Sequence, residues 1–526
     1  MKTIWYKVIM HTTSIYKVLS IGCPEVPPLL RVVATIFIIS VLVSCNSESP
    51  RSLPNVVIIH ADDIGTGDIS YYNDQLGLPS VLRTTAIDAI ASEGMIFTNA
   101  HAATSLCAPS RYALMTGKYP FRSAWANGVW SSFQKSVIGP DDLTMARLMK
   151  RSDYNTAFFG KWHLGGQYYA LGDSGTIYKA NTHEQPDIEH IVGSDPIEMG
   201  FDYNFYSPAG IQAHPFALYE NSSWYPLVKG SYIKQLTWSD IVDDEIRINK
   251  DSVKNQKRYV AKPGDSNWHP KLYGPLITQK AIEYIGQVSD TPNPFFLYFC
   301  SQAVHVPHTP GFKVRDSLMH NIYPSDHLNM IMELDEQVSR IIHALKDAGE
   351  YDNTLIIITS DNGGLEIAES RKMGHNANGP YRGSKGSIYE GGHRVPFIVS
   401  WPGHIKSQSQ SDHLVVATDI LATLATISDQ PIPTDRDLDS FDITPLFYGD
   451  KSSRKDALIR DNSSKKDAYY SEGWKLIVDR KKQKPLELYN LKTDIAETSN
   501  LKRQLKATVV KRMLNSYKSL VSKPKK

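Results

Sequence analysis

The sequence predicts an α/β fold built on a buried parallel sheet. Three observations carry that reading. Short, continuously apolar runs recur at residues 56–59, 295–299, 355–359 and 397–401, the pattern of strands covered on both faces rather than one. The first three run directly into polar stretches: His60-Ala61-Asp62-Asp63, Ser301 to His305, and Ser360-Asp361-Asn362. Ligands of open α/β sheets sit outside such carboxyl ends. Between the strands, Leu334, Val338, Ile341 and Leu345, with Met330 and Ile331 a turn earlier, fall at the spacing of a helix packed on a sheet.

The chain has 526 residues, 41% hydrophobic and 21% charged, ordinary for a globular protein with a large core. Its formal charge is +2. Without residues 1–45 (Lys2, Lys7, Lys17 and Arg31 against Glu25), 57 − 4 = 53 basic residues face 55 − 1 = 54 acidic ones, a net of −1. Nothing in that balance points to nucleic acid.

The sequence is expected to divide into a signal segment (1–45), a tether (46–54), a main domain (55–430) and a C-terminal subdomain (431–526). Residues 32–43 are an apolar run too short for a comfortable span, preceded by Arg31. A secretory signal or an uncleaved anchor has this form. Leu42-Val43-Ser44-Cys45 resembles a bacterial lipobox, which implies a lipid anchor on Cys45 and a periplasmic or outer-membrane-anchored location. Of the four cysteines, Cys23 and Cys45 fall in this segment. Cys300 ends an apolar run and reads as a core thiol. That leaves Cys107 for chemistry.

Taken in order, the first strand delivers the adjacent carboxylates Asp62 and Asp63, which are costly to bury without a cation. Thr84-Thr85 can cap a helix over 86–93 that Gly94 ends. Residues 143–150 read as a helix and 156–159 as a strand delivering Lys161 and His163. The stretch 166–290 is looser, with Tyr203, Phe205, Tyr206, Trp224, Tyr225, Trp268 and Tyr273 among polar residues. Such aromatics suit sugar stacking, but small core clusters beneath long loops are the expected role for most of them. Residues 277–285 read as a helix before the strand at 295–299, and Gly349 ends the helix that follows. Residues 419–427 read as a helix and 430–437 as a loop. Short segments at 468–470 and 474–478 suggest hairpins, and Leu505, Val509, Met513, Tyr517 and Leu520 give a last helix one apolar face.

One stretch organises the rest: Cys107-Ala108-Pro109-Ser110-Arg111, continuing to Leu114-Met115-Thr116-Gly117-Lys118. It reads as a helix start with Cys107 at the cap and Pro109 where a missing N–H is harmless. Such a site favours anions and is expected to lower a thiol pKa. The i,i+4 relation puts Arg111 on the same face as Cys107. Asp62, Asp63, Asp361 and Asn362 offer hard oxygen ligands, the set calcium or magnesium prefers over zinc.

The C-x-P-S-R…L-M-T-G-K pattern resembles the signature of the type I, formylglycine-dependent sulfatases. Gly160-Lys161-Trp162-His163, Ser360-Asp361-Asn362-Gly363 and Tyr389-Glu390-Gly391-Gly392 are similar to further elements of that family. The resemblance implies an alkaline-phosphatase-like sandwich with a central mixed sheet, followed by a small α+β subdomain with an antiparallel sheet. It implies hydrolysis of sulfate esters by a formylglycine made from Cys107 by a maturing enzyme, with one calcium ion held by Asp62, Asp63, Asp361, Asn362 and the modified Cys107. In that chemistry one hydroxyl of the hydrated aldehyde attacks sulfur, and loss of a proton from the other ejects sulfate. Arg111 would hold the diol, His163 would act as base, Lys161 and Lys385 would offset sulfate charge, and His305 in its H-x-P context would protonate the leaving oxygen. His308, His375 and Arg382 would face the substrate, and Lys118 would serve the maturing enzyme. His393 carries no chemistry in this reading. A sulfated polysaccharide or oligosaccharide is the expected substrate. The rivals are small aryl sulfates, phosphate diesters or phosphonate monoesters on the same fold, and a non-catalytic glycan binder with Cys107 left as a thiol.

Overall fold

Ten strands form one mixed sheet in this computed structural model, which describes residues 53–125, 128–180, 184–241, 262–314, 317–318, 322–432, 438–461, 465–504 and 507–522. The expected signal segment with Cys23 and Cys45, and the tether up to residue 52, lie outside these residues. So do 433–437 of the expected loop and Leu505. In chain order the strands are β1 (Asn55–Ala61), β2 (Met95–Phe97), β3 (Asn155–Lys161), β4 (Tyr203–Ser207), β5 (Leu218–Glu220), β6 (Ser223–Tyr225), β7 (Phe295–Cys300), β8 (Thr354–Ser360), β9 (Phe397–Ser400) and β10 (Ser409–Ser411). They lie side by side as β6-β5-β4-β3-β7-β1-β8-β9-β2-β10.

The middle of the sheet is parallel: β4, β3, β7, β1 and β8 run the same way, with Ile58 opposite both Tyr298 and Ile357. Beyond β8 the direction reverses at β9. The continuous apolar runs have their physical reason here. Val56 and Ile58 belong to the core on one face, Val57 and Ile59 to the core on the other, and all four are fully buried.

The helices that cover the sheet follow their apolar periods. The first, α1 (Thr85–Glu93), is entered through Thr84, and its first turn is further held by Asp335, which accepts from the N–H groups of Ala86 and Ile87. Next come α2 (Cys107–Thr116), which Gly117 ends at φ 65°, and α3 (Tyr273–Val288). Leu334, Val338, Ile341 and Leu345 of α4 (Asp326–Asp347) are fully buried, each worth about 1.5–3 kcal/mol relative to exposure. The helix expected over 143–150 is shorter, Met145–Met149, because the Thr144 hydroxyl caps it by accepting from Arg147 N at 3.1 Å. It then tightens into a 3-10 turn.

After α5 (Asp419–Ile427) come four antiparallel strands in sequence order, β11 (Asp456–Arg460), β12 (Lys466–Ser471), β13 (Trp474–Asp479) and β14 (Lys484–Asn490). The last helix, α6 (Ala507–Ser522), lays Met513 and Tyr517 on them. From Leu53 onward the chain is one compact unit. The aromatics of 166–290 are largely core, as expected: Phe205, Tyr206, Trp268 and Tyr273 are buried. Among the described residues no helix is long and apolar enough to cross a membrane.

Candidate active site

Four neighbouring parallel strands, β3, β7, β1 and β8, release their chains at one edge, and the residues that follow them converge there. Asp62 and Asp63 leave β1, Asp361 and Asn362 leave β8, Lys161 ends β3 with His163 just beyond, and His305 follows β7. The loops are laced together by main-chain bonds: Asp62 N donates to Ala303 O (2.9 Å) and Asp361 N to Ala61 O (3.2 Å). Asp63 at φ 64° and His163 at φ 57° occupy the left-handed region that non-glycine residues rarely adopt. Such strain persists where the surroundings over-determine it, as at functional sites.

Ligand atoms of Asp62, Asp63, Cys107 and His305 all lie within 4.8 Å of one another. Lys161 Nζ sits 2.5 Å from Asp62 Oδ2, and Lys385 Nζ lies 2.5 and 2.6 Å from the two oxygens of Asp63. Arg111 donates to Asp361 Oδ2 from Nε (3.1 Å) and Nη2 (2.8 Å), and to Lys161 O from Nη1 (3.0 Å). Asn362 Nδ2 donates to Asp63 Oδ1 (2.8 Å). His305 Nε2 is 3.8 Å from Asp63 Oδ2. Three carboxylates thus stand against three cations with little access to water.

Burial is the largest single influence and works against the charge on Asp62 and Asp63. The positive groups around them, led by Lys161 at the first and Lys385 at the second, together outweigh it, and both carboxyls stay below the usual range. Burial, with Lys385 adding to it, pushes His305 down to about 4. Burial and then Lys161 hold His163 well below its ordinary value. Both imidazoles are therefore neutral at neutral pH in the protein alone.

The residues present fit a hard cation. Asp62 Oδ1 and Asn362 Oδ1 are buried oxygens with no hydrogen-bond partner, an arrangement that is expensive unless something positive meets them. Oxygen donors of this kind are what calcium or magnesium takes. His163 Nδ1 and His308 Nε2 are buried and unpartnered as well.

Several expectations change. Cys107 is the first residue of α2, with Leu106 at the cap. Its thiol is not activated: burial pushes it up to about 11, outweighing Lys161 and Lys385. Cys107 and Cys300 are both free and buried. Arg382, expected at the substrate, is held by the C-terminal part of the chain. Its guanidinium lies 3.6 Å over the Tyr389 ring and donates to Glu497 O at 3.0 Å. His375 is buried with Nε2 2.7 Å from Asp68 Oδ1, so this ring serves a carboxylate. His308 is buried beside His327, with ring centroids 5.2 Å apart. His393 is part of a buried cluster with His101 and Glu390, on which Tyr470 and Lys475 also converge.

Sequence reasoning missed Asp68 and His327. Asp68 accepts from Gly65 N at 2.8 Å as well as from His375. Its spacing from Asp62-Asp63, in a glycine-rich turn, was the available signal. His327 binds Ser370 Oγ through Nδ1 at 3.0 Å, and nothing in its helix pattern set it apart.

Comparison with known proteins gives a consistent picture. Residues 54–429 match the family model described as Sulfatase, and residues 383–523 match that of the N-sulphoglucosamine sulphohydrolase C-terminal region. An N-acetylgalactosamine-6-O-sulfatase of Bacteroides thetaiotaomicron is 30% identical over 89% of this chain and 94% of its own. Human arylsulfatase A is 30% identical over 77% of this chain and 70% of its own. A solved structure from work on glycosaminoglycan metabolism by Bacteroides thetaiotaomicron superposes with a TM-score of 0.72 at 28% identity, covering 89% of this chain and 99% of that one.

Proposed function

This chain belongs to the sulfatase family, and from that premise we propose that its sulfuric-ester hydrolase site acts on sulfated oligosaccharide, with a formylglycine formed from Cys107 and one calcium ion. The observation that carries the reading is the clustering of Asp62 and Asp63 with Cys107, together with two buried oxygens that lack hydrogen-bond partners, Asp62 Oδ1 and, on the neighbour of Asp63, Asn362 Oδ1. Asp62, Asp63, Asp361 and Asn362 would hold the ion. When bound, calcium supplies polarisation of the sulfuryl group. Formylglycine supplies, as its hydrate, a hydroxyl nucleophile with a second hydroxyl able to expel sulfate.

The chain's own residues do the rest. Lys161 and Lys385 present ammonium groups where sulfate charge redistributes, in a site closed to water where such donors act strongly. Arg111 fixes Asp361 and the exit of β3 together. His163, neutral with a free Nδ1, can take a proton. His305 stands 3.8 Å from Asp63 and is neutral in the protein alone. To protonate a leaving sugar oxygen it must first take up a proton when the anionic ester binds, and in that protonated form it is the group placed to do so. Release of the protein to the periplasm, a lipid on Cys45 and a maturing enzyme acting on Cys107 belong to the same proposal.

The similarity to an N-acetylgalactosamine-6-O-sulfatase supports 6-O-sulfated amino sugars as the first substrates to try. The test pairs peptide mass spectrometry with sulfate release. Active protein should show Cys107 about 18 Da lighter than the thiol, and should turn over sulfated sugars faster than a phosphate diester. Full activity with an unmodified thiol, or a preference for the diester, overturns the proposal.

A further inference from the structure

Between the end of β8 and Lys385 the chain forms an open surface pocket of about 510 Å³, lined mainly by Glu366, Arg371, His375, Asn376, Tyr381 and Ser384. Its volume is in the range of about 300–1,000 Å³ typical of small-molecule sites. The lining is polar, with one aromatic ring. Its wall is chemically joined to the catalytic centre. Ser384 directly precedes Lys385, whose ammonium grips Asp63 and whose N–H donates to Gly364 O at 3.2 Å. On another side His375 is fixed by Asp68, and Asp68 by Gly65 N, two residues beyond Asp63.

The charges in the lining cancel. Arg371 Nη1 lies 2.9 Å from Glu366 Oε2, and His375 faces the Asp68 carboxylate. A guest therefore meets hydrogen-bonding groups and a tyrosine without a net field, which suits hydroxyls better than a second sulfate or a carboxylate. Outside its bond to Glu366 the Arg371 guanidinium is largely open to solvent, its side chain 67% exposed, so its remaining N–H groups can serve as donors.

We propose that this pocket is a carbohydrate subsite for an uncharged sugar unit adjoining the sulfated one, so that the enzyme selects oligosaccharides over sulfated monosaccharides. The inference rests on the sulfated-sugar reading above, and it deepens that reading by making a glycan of at least two units the preferred substrate. Hydrogen bonds made or lost at such a site change kcat/KM by roughly 3- to 10-fold each.

Kinetics on N-acetylgalactosamine 6-sulfate and on a disaccharide carrying it next to a neutral sugar tests the idea. Wild type should favour the disaccharide by tenfold or more, in a salt-independent way. Asn376→Ala and Arg371→Ala should each cut that preference by roughly 3- to 10-fold. Equal kcat/KM on the two substrates, or variants that depress both equally, overturns the subsite. A preference that appears only with an acidic neighbour and fades with salt overturns the uncharged guest. If neither compound releases sulfate, the hydrolase reading fails by itself, and saturation-transfer NMR with the desulfated disaccharide still decides the pocket. Binding lost in Asn376→Ala supports it, and no binding to wild type overturns it.

Discussion

His305 and Lys385 reach Asp63 from different parts of the chain, and their removal should be felt differently. A sugar alkoxide needs a proton as it leaves and a nitrophenolate does not. His305→Ala should therefore lose about 10²–10⁴-fold on a sugar sulfate and far less on nitrophenyl sulfate, in initial-rate measurements on both. Lys385→Ala should harm both, because the ammonium acts on the sulfate itself. Equal losses for His305→Ala would make it a sulfate holder, and a substrate-selective loss at His308→Ala would move the acid there. The unpartnered oxygens of Asp62 and Asn362 carry a second expectation. Exhaustive chelation should abolish turnover and lower Tm, and calcium at 100 times its Kd should restore about 2.7 kcal/mol. An unchanged Tm and rate would mean these oxygens serve another purpose. At this scale Asp62, Asp63, Lys161, His163, His305 and Asp361 were legible because they lie at or soon after the ends of recognisable strands, whereas Lys385, deep in the loop after β8, was named only through the family resemblance. The thiol of Cys107 was misjudged, since a helix start is visible in a sequence and the depth at which it is buried is not.

Helix α4 does more than cover the sheet. Its buried Glu333 accepts from Gln302 Nε2 (2.7 Å) and Gly311 N (2.6 Å), pinning both ends of the loop that carries His305 and His308. Burial raises the Glu333 pKa from 4.5 to about 7 despite these donors. A folded-state pKa above the unfolded one means the native protein holds the proton more tightly. The contribution is complete below pH 4.5 and is lost as pH rises through 7. Across that interval 2.5 units correspond to about 3 kcal/mol. Calorimetry of wild type and Glu333→Gln from pH 5 to 8 should show wild type losing ground to the variant as pH rises. A constant difference would mean Glu333 is ionised throughout. Elements such as α4 and β8 were legible because a period of 3.6, or an unbroken apolar run, reports burial directly. Arg382 was not, because its partner Glu497 lies 115 residues further on and no local pattern encodes the pairing. Among the aromatics of 166–290 the expected core role holds for Phe205, Tyr206, Trp268 and Tyr273.

Over the whole molecule, the C-terminal sheet is fastened to the catalytic half by buried charge. Lys475 of β13 bridges Glu390 Oε1 (2.8 Å) and Glu497 Oε1 (2.7 Å), and Arg394 closes on the other Glu390 oxygen. Removing one partner of such a group leaves unpaired charge in the interior, so Lys475→Met should destabilise by about 3–5 kcal/mol in urea unfolding. A loss within experimental error would show that Arg394 suffices for Glu390. Glu390 lies five residues past Lys385, and Gly391 is packed so closely on the preceding turn that a Cβ there would come 2.2 Å from Gly383 O. A loosened β13 should therefore also lower turnover. The parallel core and the antiparallel tail could both be anticipated from strand composition, whereas the strand order that sets β1 between β7 and β8 could not. That order has a consequence in time. Buried Cys107 has Asp361, the residue that follows β8, among its charged neighbours, so its surroundings are incomplete until β8 is made. That strand begins at residue 354, and 354 − 107 = 247 further residues must be synthesised first. At roughly 5–20 residues per second that leaves about 10–50 s in which the nascent chain still presents Cys107 in the open. If Cys107 is converted as proposed, the reaction would have its easiest access in that interval, before the sheet that buries the thiol is complete.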